Sequence, residues 1–234
     1  MTRSKARRAL VTGAARGVGH ATCLSLADRG YEVVGVDIRE QRSNGATATI
    51  SADLSDPSDC DRVIAEAGKI DVLVTAHGLL EPRTIESTTV DDFDRALSVN
   101  LRSVFLLCQG SAPSMAAQGW GRIINFSSVV ARTGGFSSAP YAAAKAGVIA
   151  LTKSFASVYS NRGVTCNAVA PAAIDTELNA FLDEAGRQRI VDQLPVGRFS
   201  TPEEFAALVV YLAGDDAGFI TGATIDMNGG WVMT

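Results

Sequence analysis

The chain has 234 residues, of which 47% are apolar and 20% are charged, and its net charge at pH 7 is −4. This length and composition predict a folded protein with a substantial core in one domain, covering residues 1–234. The acidic balance disfavours a general attraction to nucleic acid or anionic membranes, and no apolar run reaches the 18 or so residues of a membrane span.

A basic cluster precedes the first apolar run, which begins at residue 9. It leads directly into that run without the apolar core of a signal peptide. We expect its side chains to form a solvated N-terminal tail, in preference to an arm that binds nucleic acid. The cluster consists of Arg3, Lys5, Arg7 and Arg8.

The spacing of the cysteines and the number of histidines limit the disulfide and metal sites that the chain can form. Cys23, Cys60, Cys108 and Cys166 show no CxxC spacing, which predicts neither a disulfide framework nor a zinc site. With two histidines in the chain, a histidine-rich metal site cannot be built. We therefore expect a reduced, cytoplasmic, metal-free protein with no nucleic-acid or membrane partner.

Short β-rich runs alternate with longer helical stretches along the chain. Several of the runs are almost continuously apolar, which is typical of strands that helices cover on both faces. The alternation predicts a parallel sheet with right-handed crossovers, and hence an α/β, doubly wound fold with seven strands. The predicted strands are Ala9–Thr12, Glu32–Val36, Thr47–Ser51, Val72–Ala76, Ile123–Phe126, Val164–Val169 and Thr224–Met227.

Helix starts and lengths follow from capping residues and apolar content. The pair Asp56-Pro57 supplies an N-cap and a proline at the first helical position. The run Thr201–Glu204 adds a capping box to the same arrangement. Asp91–Gln118 is predicted as one helix with Pro113 as a kink or end point, and Ala139–Ser160 as another.

The first strand runs into a glycine-rich turn, Thr12–Gly19, which has the spacing TGxxxGxG. Gly13, Gly17 and Gly19 allow a tight turn and a close approach of the backbone to a pyrophosphate at the start of the next helix. A plain tight turn is the alternative interpretation. The turn therefore indicates, without proving, a dinucleotide site.

Two side chains bear on the choice of dinucleotide, and they point in opposite directions. Asp37 ends the second strand about 20 residues beyond the glycines, where a carboxylate accepts hydrogen bonds from ribose hydroxyls. Arg16 lies where a guanidinium could pair with the 2′-phosphate of NADP. Because like charges repel more strongly than a flexible arginine attracts, we expect a preference for NAD, with NADP possible. A strand-terminal aspartate that only caps a turn is the alternative reading of Asp37.

Tyr141 and Lys145 stand four residues apart in a predicted helix, so both side chains lie on one face. A lysine charge beside the phenol should lower its pKa and suit it to proton exchange with an alcohol. Ser128 follows the fifth strand and could donate to a substrate oxygen. Ser127 is the alternative for that role, and capping of the turn is the structural alternative for either serine.

These features, with Val99-Asn100 in a long helix and the ending Gly222–Gly230, resemble the short-chain dehydrogenase/reductase family over essentially the whole chain. The resemblance implies a Rossmann fold and a nicotinamide cofactor. It also implies a catalytic set of Asn100, Ser128, Tyr141 and Lys145, in which Asn100 holds a water that relays protons through Lys145. The cofactor-binding residues that it implies are Gly13, Arg16, Gly17, Val18, Gly19, Asp37, Asp53, Leu54, Ala76, Gly78, Tyr141, Lys145, Pro171 and Thr176.

Assembly is also implied by the resemblance, as pairing of the two long helices into a homodimer or homotetramer. Both helices carry apolar or small residues on more than one face, as buried helices do. These residues include Phe105, Leu106, Ala143, Ala146 and Ile149.

The chain departs from the family pattern at two places. It has Thr75–Gly78 where the family has Asn-Asn-Ala-Gly, and we interpret His77 as a loop residue beside the cofactor and not as a second base. It has Pro171-Ala172 where the family has Pro-Gly, and the added methyl group narrows the nicotinamide edge or shifts the loop.

The segment at about 172–198 is expected to close over the active site. Its residues Leu178, Phe181, Leu182 and Leu194 suggest a hydrophobic ligand, or equally the buried stripe of a short amphipathic helix. We therefore predict a small and apolar carbonyl or alcohol substrate.

Three functions remain open at this stage. The first is NAD(H)-dependent conversion between a secondary alcohol and a ketone, and the second is NADPH-dependent reduction of a 3-oxoacyl-carrier protein. The stretch Gln109–Trp120 contains no Lys or Arg to dock an acidic carrier, which disfavours the second. The third is a non-catalytic dinucleotide sensor, which the intact catalytic set disfavours. Arg132 is read as a solvent-exposed residue, or as a contact for an anionic substrate.

Overall fold

A computed structural model describes residues 6–41, 45–134 and 138–233. Within these ranges seven strands form one parallel sheet, and every strand lies within two residues of its predicted position. The predicted α/β fold of Rossmann type is therefore confirmed. The strands are β1 (Arg8–Thr12), β2 (Glu32–Asp37), β3 (Ala48–Ser51), β4 (Val72–Thr75), β5 (Gly121–Phe126), β6 (Val164–Pro171) and β7 (Thr224–Met227).

Helices cover both faces of the sheet, each over its own apolar cluster. Leu26 and Phe205 belong to the cluster under the first and last helices, and Leu107 and Val148 belong to the cluster on the opposite face. This double cover explains why the strands are apolar almost throughout. The helices include α1 (Gly17–Asp28), α2 (Pro57–Ala67), α3 (Val90–Leu97), α4 (Ser103–Gln118), α5 (Val130–Thr133), α6 (Ala139–Tyr159), α7 (Glu184–Val191) and α8 (Pro202–Ala213).

The strand order, β3-β2-β1-β4-β5-β6-β7, reverses direction at β1. The chain runs from β1 outward to β2 and β3, and then returns to β4 on the other side of β1. At such a switch point the connections leave the carboxyl ends of neighbouring strands in opposite directions, which opens a crevice there. The fold therefore places a binding site beyond Thr12 and Thr75, where β1 and β4 end side by side.

Local capping determines where two helices begin, as the sequence predicts. The Asp56 carboxylate accepts a hydrogen bond of 2.8 Å from the Ser58 backbone N–H at the start of α2. At the start of α8, the Thr201 hydroxyl and the Glu204 carboxylate each accept from the other residue's backbone N–H. Both predicted caps are confirmed.

The prediction of one regular helix over Asp91–Gln118 is wrong in its middle. A π-helical turn, Ser98–Arg102, separates α3 from α4, and it inserts one extra residue into the helix. The Val99 carbonyl oxygen accepts a hydrogen bond of 2.6 Å from the Ser103 hydroxyl within this turn. Pro113 does not end the helix, since α4 continues to Gln118.

The basic cluster at the start of the chain is not a solvated tail where the structure describes it. Arg8 begins β1. The Arg7 guanidinium lies 3.7 Å from the centre of the Trp120 ring and 2.7 Å from an Asp215 carboxylate oxygen. These contacts hold the start of β1 against the residues just before β5 and just after α8, so the prediction of a solvated tail is wrong for Arg7 and Arg8. Arg3 and Lys5 lie outside the described residues.

The helices, the possible metal ligands and the cysteines of the described ranges have the following properties. None of the helices found there has both the length and the apolarity needed to cross a membrane. No group of three His, Cys, Asp or Glu side chains in those ranges is arranged to hold a metal ion. Four cysteines are buried as free thiols, namely Cys23, Cys60, Cys108 and Cys166.

Candidate active site

A cavity of about 450 Å³ lies at the carboxyl ends of β1, β2, β4 and β6. Of the predicted site residues, Gly19, Asn100 and Ser128 are not part of its lining, although each contacts a residue that is. The predicted residues that do line it are Gly13, Arg16, Gly17, Val18, Asp37, Asp53, Leu54, Ala76, Gly78, Tyr141, Lys145, Pro171 and Thr176.

The glycine turn after β1 is packed so closely that side chains would not fit. Gly13 has φ +70°, and a Cβ atom there would lie 2.8 Å from the Ala76 carbonyl oxygen. A Cβ atom on Gly19 would overlap the Gly13 carbonyl oxygen. The first turn of α1 holds no acidic residue, and the Arg16 side chain at its N-cap does not cap it. The amino end of α1 therefore fits an anionic group such as a pyrophosphate.

The carboxylate of Asp37 is held at the end of β2 by two backbone groups. Its oxygens accept hydrogen bonds of 3.0 Å from the Ala15 N–H and 2.9 Å from the Arg39 N–H. Asp53 and Leu54 line the same end of the cavity. A fixed carboxylate beside an apolar wall fits the ribose and adenine of a dinucleotide, so the residues present fit the cofactor that the sequence predicts.

The tyrosine, lysine and serine of the predicted catalytic set meet at the inner end of the cavity. The Ser128 hydroxyl lies close enough to the Tyr141 phenol to act on its pKa, and the Lys145 ammonium lies 5.6 Å from the centre of the Tyr141 ring. The ammonium donates 2.8 Å to the Phe126 carbonyl oxygen. The Ser127 hydroxyl donates a hydrogen bond of 2.8 Å to the Lys145 carbonyl oxygen. Ser127 is therefore bonded to the backbone, and Ser128 is the serine that acts on the phenol.

Burial controls the proton affinities of this group. It raises the pKa of Tyr141 to about 12, although the hydrogen bond with Ser128 acts in the opposite direction. It lowers the pKa of Lys145 to about 8. The expectation that the lysine charge would lower the pKa of the phenol is therefore wrong for the protein alone. Desolvation of the phenol outweighs the effect of an ammonium that is turned toward a backbone carbonyl.

The side chain of Asn100 holds the loop that follows β4. Its amide nitrogen donates to the carbonyl oxygens of Leu79 at 2.9 Å and Ala96 at 3.0 Å, and its oxygen accepts 3.0 Å from the Leu79 N–H. Gly78 lies close to this amide and to the lysine, since a Cβ atom on it would lie 3.2 Å from the Asn100 oxygen and 3.7 Å from the Lys145 ammonium. Asn100 therefore positions the cavity wall beside the lysine.

His77 bridges the glycine turn and the π-helical turn. Its Nδ1 atom lies 2.6 Å from the Thr12 hydroxyl oxygen, and its Nε2 atom lies 2.7 Å from the Ser103 hydroxyl and 3.1 Å from the Val99 carbonyl oxygen. A neutral ring that donates from Nε2 and accepts at Nδ1 satisfies all three partners. Burial, and then the charge of Lys145, lower the pKa of His77 to about 3. Both nitrogens are engaged, which disfavours a role as a catalytic base.

The segment after β6 contributes to the cavity through Ile174, Thr176 and Glu177. Of its predicted apolar residues, Phe181, Leu182 and Leu194 do not line the cavity. Leu194 is buried against Leu182, and the Phe181 side chain is half exposed. The side chain of Leu178 lies outside the described residues. Leu182 and Leu194 are therefore packing residues and not ligand contacts. They belong to a separate cluster that we call the loop cluster. The loop cluster comprises Ala172, Ala173, Leu182, Ile190, Val191, Leu194, Phe199 and Trp231.

Three charged residues of the cavity are missing from the sequence prediction, Arg39, Arg95 and Glu177. Glu177 forms ion pairs with Arg16 and with Arg39. Arg39 could have been found from its place two residues after Asp37. Glu177 could not, because its partners are distant in sequence. Arg132, which was read as exposed or as an anion contact, forms an ion pair of 3.0 Å with Asp226.

Comparison with known proteins gives a consistent result. The family described as enoyl-(acyl carrier protein) reductase matches residues 13–232. Acetoacetyl-CoA reductase of Rhizobium meliloti (strain 1021) is 38% identical, over 96% of this chain and 98% of the relative. The 3-oxoacyl-[acyl-carrier-protein] reductase FabG of Salmonella typhimurium is 36% identical over 96% and 97%, and nodulation protein G of Azospirillum brasilense is 37% identical over 95% and 96%. The chain belongs to the short-chain dehydrogenase/reductase family and is a nicotinamide-dependent oxidoreductase that acts on C=O or CH–OH groups.

Proposed function

We propose that this protein transfers a hydride between NAD(H) and a ketone or secondary alcohol, with Ser128, Tyr141, Lys145 and Asn100 as its catalytic set. One observation carries the proposal. The buried phenol of Tyr141 faces the cavity with a serine hydroxyl as its partner and an ammonium below its ring. Proton transfer at the carbonyl oxygen needs such a group within reach of a dry pocket.

The side chains divide the work of reduction between them. A nicotinamide held by the residues that line the cavity would supply the hydride for the new C–H bond. The Ser128 hydroxyl donates to the carbonyl oxygen and steadies its developing charge. Tyr141 passes its phenolic proton to that oxygen, which completes the alcohol. The Lys145 charge then stabilises the phenolate until a proton returns. Burial raises the pKa of the phenol to about 12, so Tyr141 carries the proton that the reduction requires.

Asp37 supports the preference for NAD(H), because its carboxylate would lie against a 2′-phosphate. Asp37→Asn removes this charge and keeps an oxygen that accepts from the Ala15 or Arg39 N–H. We expect the ratio of kcat/KM for NADP to that for NAD to rise about tenfold or more. Asp53→Asn removes the charge of another carboxylate of the cavity and is the control, which should leave this ratio unchanged. An unchanged ratio in Asp37→Asn would show that Asp37 is not the selector.

The substrate class has a second candidate, a 3-oxoacyl thioester. The relatives of 36% to 38% identity favour it, since their names include a 3-oxoacyl-carrier-protein reductase and an acetoacetyl-CoA reductase. Initial rates with simple ketones, acetoacetyl-CoA and a 3-oxoacyl carrier protein would separate the two candidates. Activity confined to the two thioesters would show that a 3-oxoacyl thioester, and not a simple ketone, is the substrate.

We also propose that α4 and α6 pair with a second copy to form a homodimer or homotetramer. Phe105 of α4 lies 6.2 Å, centre to centre, from Phe155 of α6, and Phe105 and Val158 remain exposed on these helices. Light scattering is expected to give two or four times the chain mass of 24.4 kDa. A mass of one chain across a concentration series would refute the assembly.

The last two parts of the proposal concern the cellular location of the protein and its domain organisation. Four buried free thiols support a reducing compartment, and we propose the cytoplasm. We further propose that residues 1–234 act as one catalytic domain.

A further inference from the structure

The carboxylate of Glu177 meets two guanidinium groups at the adenosine end of the cavity. It is hydrogen-bonded to Arg16 of the glycine turn, and it lies 3.5 Å from Arg39, which follows β2. All three side chains line the cavity. The hydrogen bond from Arg16, and then its charge, hold the pKa of Glu177 below its usual range, so the carboxylate is charged at neutral pH.

The backbone around Glu177 is anchored on both sides. The Asp175 N–H donates 2.9 Å to the Ser200 carbonyl oxygen. The Asn179 side chain donates 2.8 Å to the Ile174 carbonyl oxygen, which closes the short turn that contains Glu177. The carboxylate is therefore presented to the arginines from a fixed loop.

Asp37 does not neutralise these arginines. Its two oxygens accept from the backbone N–H groups of Ala15 and Arg39. Among residues 6–41, 45–134 and 138–233, the only carboxylate within 4.0 Å of the Arg16 or Arg39 guanidinium is that of Glu177. Without it, two free guanidinium groups would face the ribose position, an arrangement that binds phosphate well.

We propose that Glu177 is a second specificity-determining residue, which occupies the two arginines that a 2′-phosphate would need and so reserves the cavity for a dinucleotide with a free 2′-hydroxyl. The inference rests on the proposed preference for NAD(H). A 2′-phosphate entering this site would have to displace one carboxylate from the arginines and then lie beside two. Asp37 repels the 2′-phosphate, and Glu177 keeps the two arginines from attracting it.

The test is calorimetric titration of the whole protein with NAD and with NADP, with no substrate present. Glu177→Gln is expected to lower the Kd for NADP about five- to tenfold and to leave the Kd for NAD within about twofold. Glu184→Gln, at an exposed glutamate at the start of α7, is the matched control and should change neither value.

A double variant, Glu177→Gln with Arg39→Gln, separates charge from loop movement. The gain for NADP should be smaller in it than in Glu177→Gln, because one of the two freed guanidinium groups is missing and only that of Arg16 remains. An NADP-to-NAD ratio of Kd values that stays the same in Glu177→Gln, or a gain that is undiminished in the double variant, overturns the inference. If the wild type binds NADP more tightly than NAD, the proposed preference fails. If it binds NAD more tightly and Glu177→Gln has no effect, only the role of Glu177 fails.

Discussion

Tyr141→Phe is expected to lower kcat by about 10²–10⁴-fold, the usual cost of removing a general acid. The variant keeps the ring that lies over Lys145 and loses only the hydroxyl that contacts Ser128. Because the phenol serves the reacting oxygen, the Kd for the nicotinamide cofactor should change by less than about threefold.

A second tyrosine of the same helix provides a matched control. Tyr159 lies near the other end of α6, stacks on Phe155 and is not part of the cavity lining. Tyr159→Phe should therefore keep wild-type kcat. Retention of wild-type kcat by Tyr141→Phe, measured by steady-state kinetics with a reactive ketone, would refute the assignment of Tyr141.

The second large effect is on stability toward acid, through His77. We expect the wild type to lose about 1 to 2 kcal/mol of unfolding free energy between pH 7 and pH 5 through this residue alone. The unfolded imidazole takes up a proton below pH 6.5, whereas the folded one takes it up only near pH 3. The unfolded state thus binds more protons between these values, so stability is complete above pH 6.5 and falls as the pH falls.

Denaturant unfolding of the wild type and of His77→Asn at both pH values isolates this contribution. Asn does not titrate, so the variant should show a pH-dependent loss that is smaller by about 1 to 2 kcal/mol, whatever its stability at pH 7. His77→Gln provides a second non-titrating side chain if Asn folds poorly, and His20→Asn controls for the removal of an imidazole. Equal losses in the wild type and both His77 variants would contradict the proposed neutral ring.

The strands and helix starts were predictable because their signals are local. The apolar runs marked all seven strands, and Asp56 and Thr201 marked two caps within four residues of sequence. The π-helical turn at Ser98–Arg102 was not predictable, since it contains neither glycine nor proline and the apolar pattern continues through it. Its partner His77 lies about 20 residues away, across a loop that periodicity does not describe.

In the candidate site too, local spacing was predictable and contacts between distant residues were not. The residue types at Tyr141 and Lys145 follow from a four-residue spacing, but the direction of the pKa shift of the phenol depends on burial, which spacing does not report. The ion pair between Arg16 and Glu177 joins residues 161 positions apart. Likewise, Arg7 meets Trp120 only because the sheet brings the start of β1 near the start of β5, with β4 alone between the two strands.

The loop cluster has a consequence for how this fold changes its substrate. Leu194 and Phe199 pack on Trp231, near the end of the chain, and not among the residues under the helices of the sheet. The segment that contributes Ile174, Thr176 and Glu177 to the cavity thus has a small hydrophobic cluster of its own as its foundation. Exchanges within this foundation would reshape the entrance while the sheet and the glycine turn keep their packing. The architecture thereby separates the part that must stay constant for hydride transfer from the part that is free to diversify.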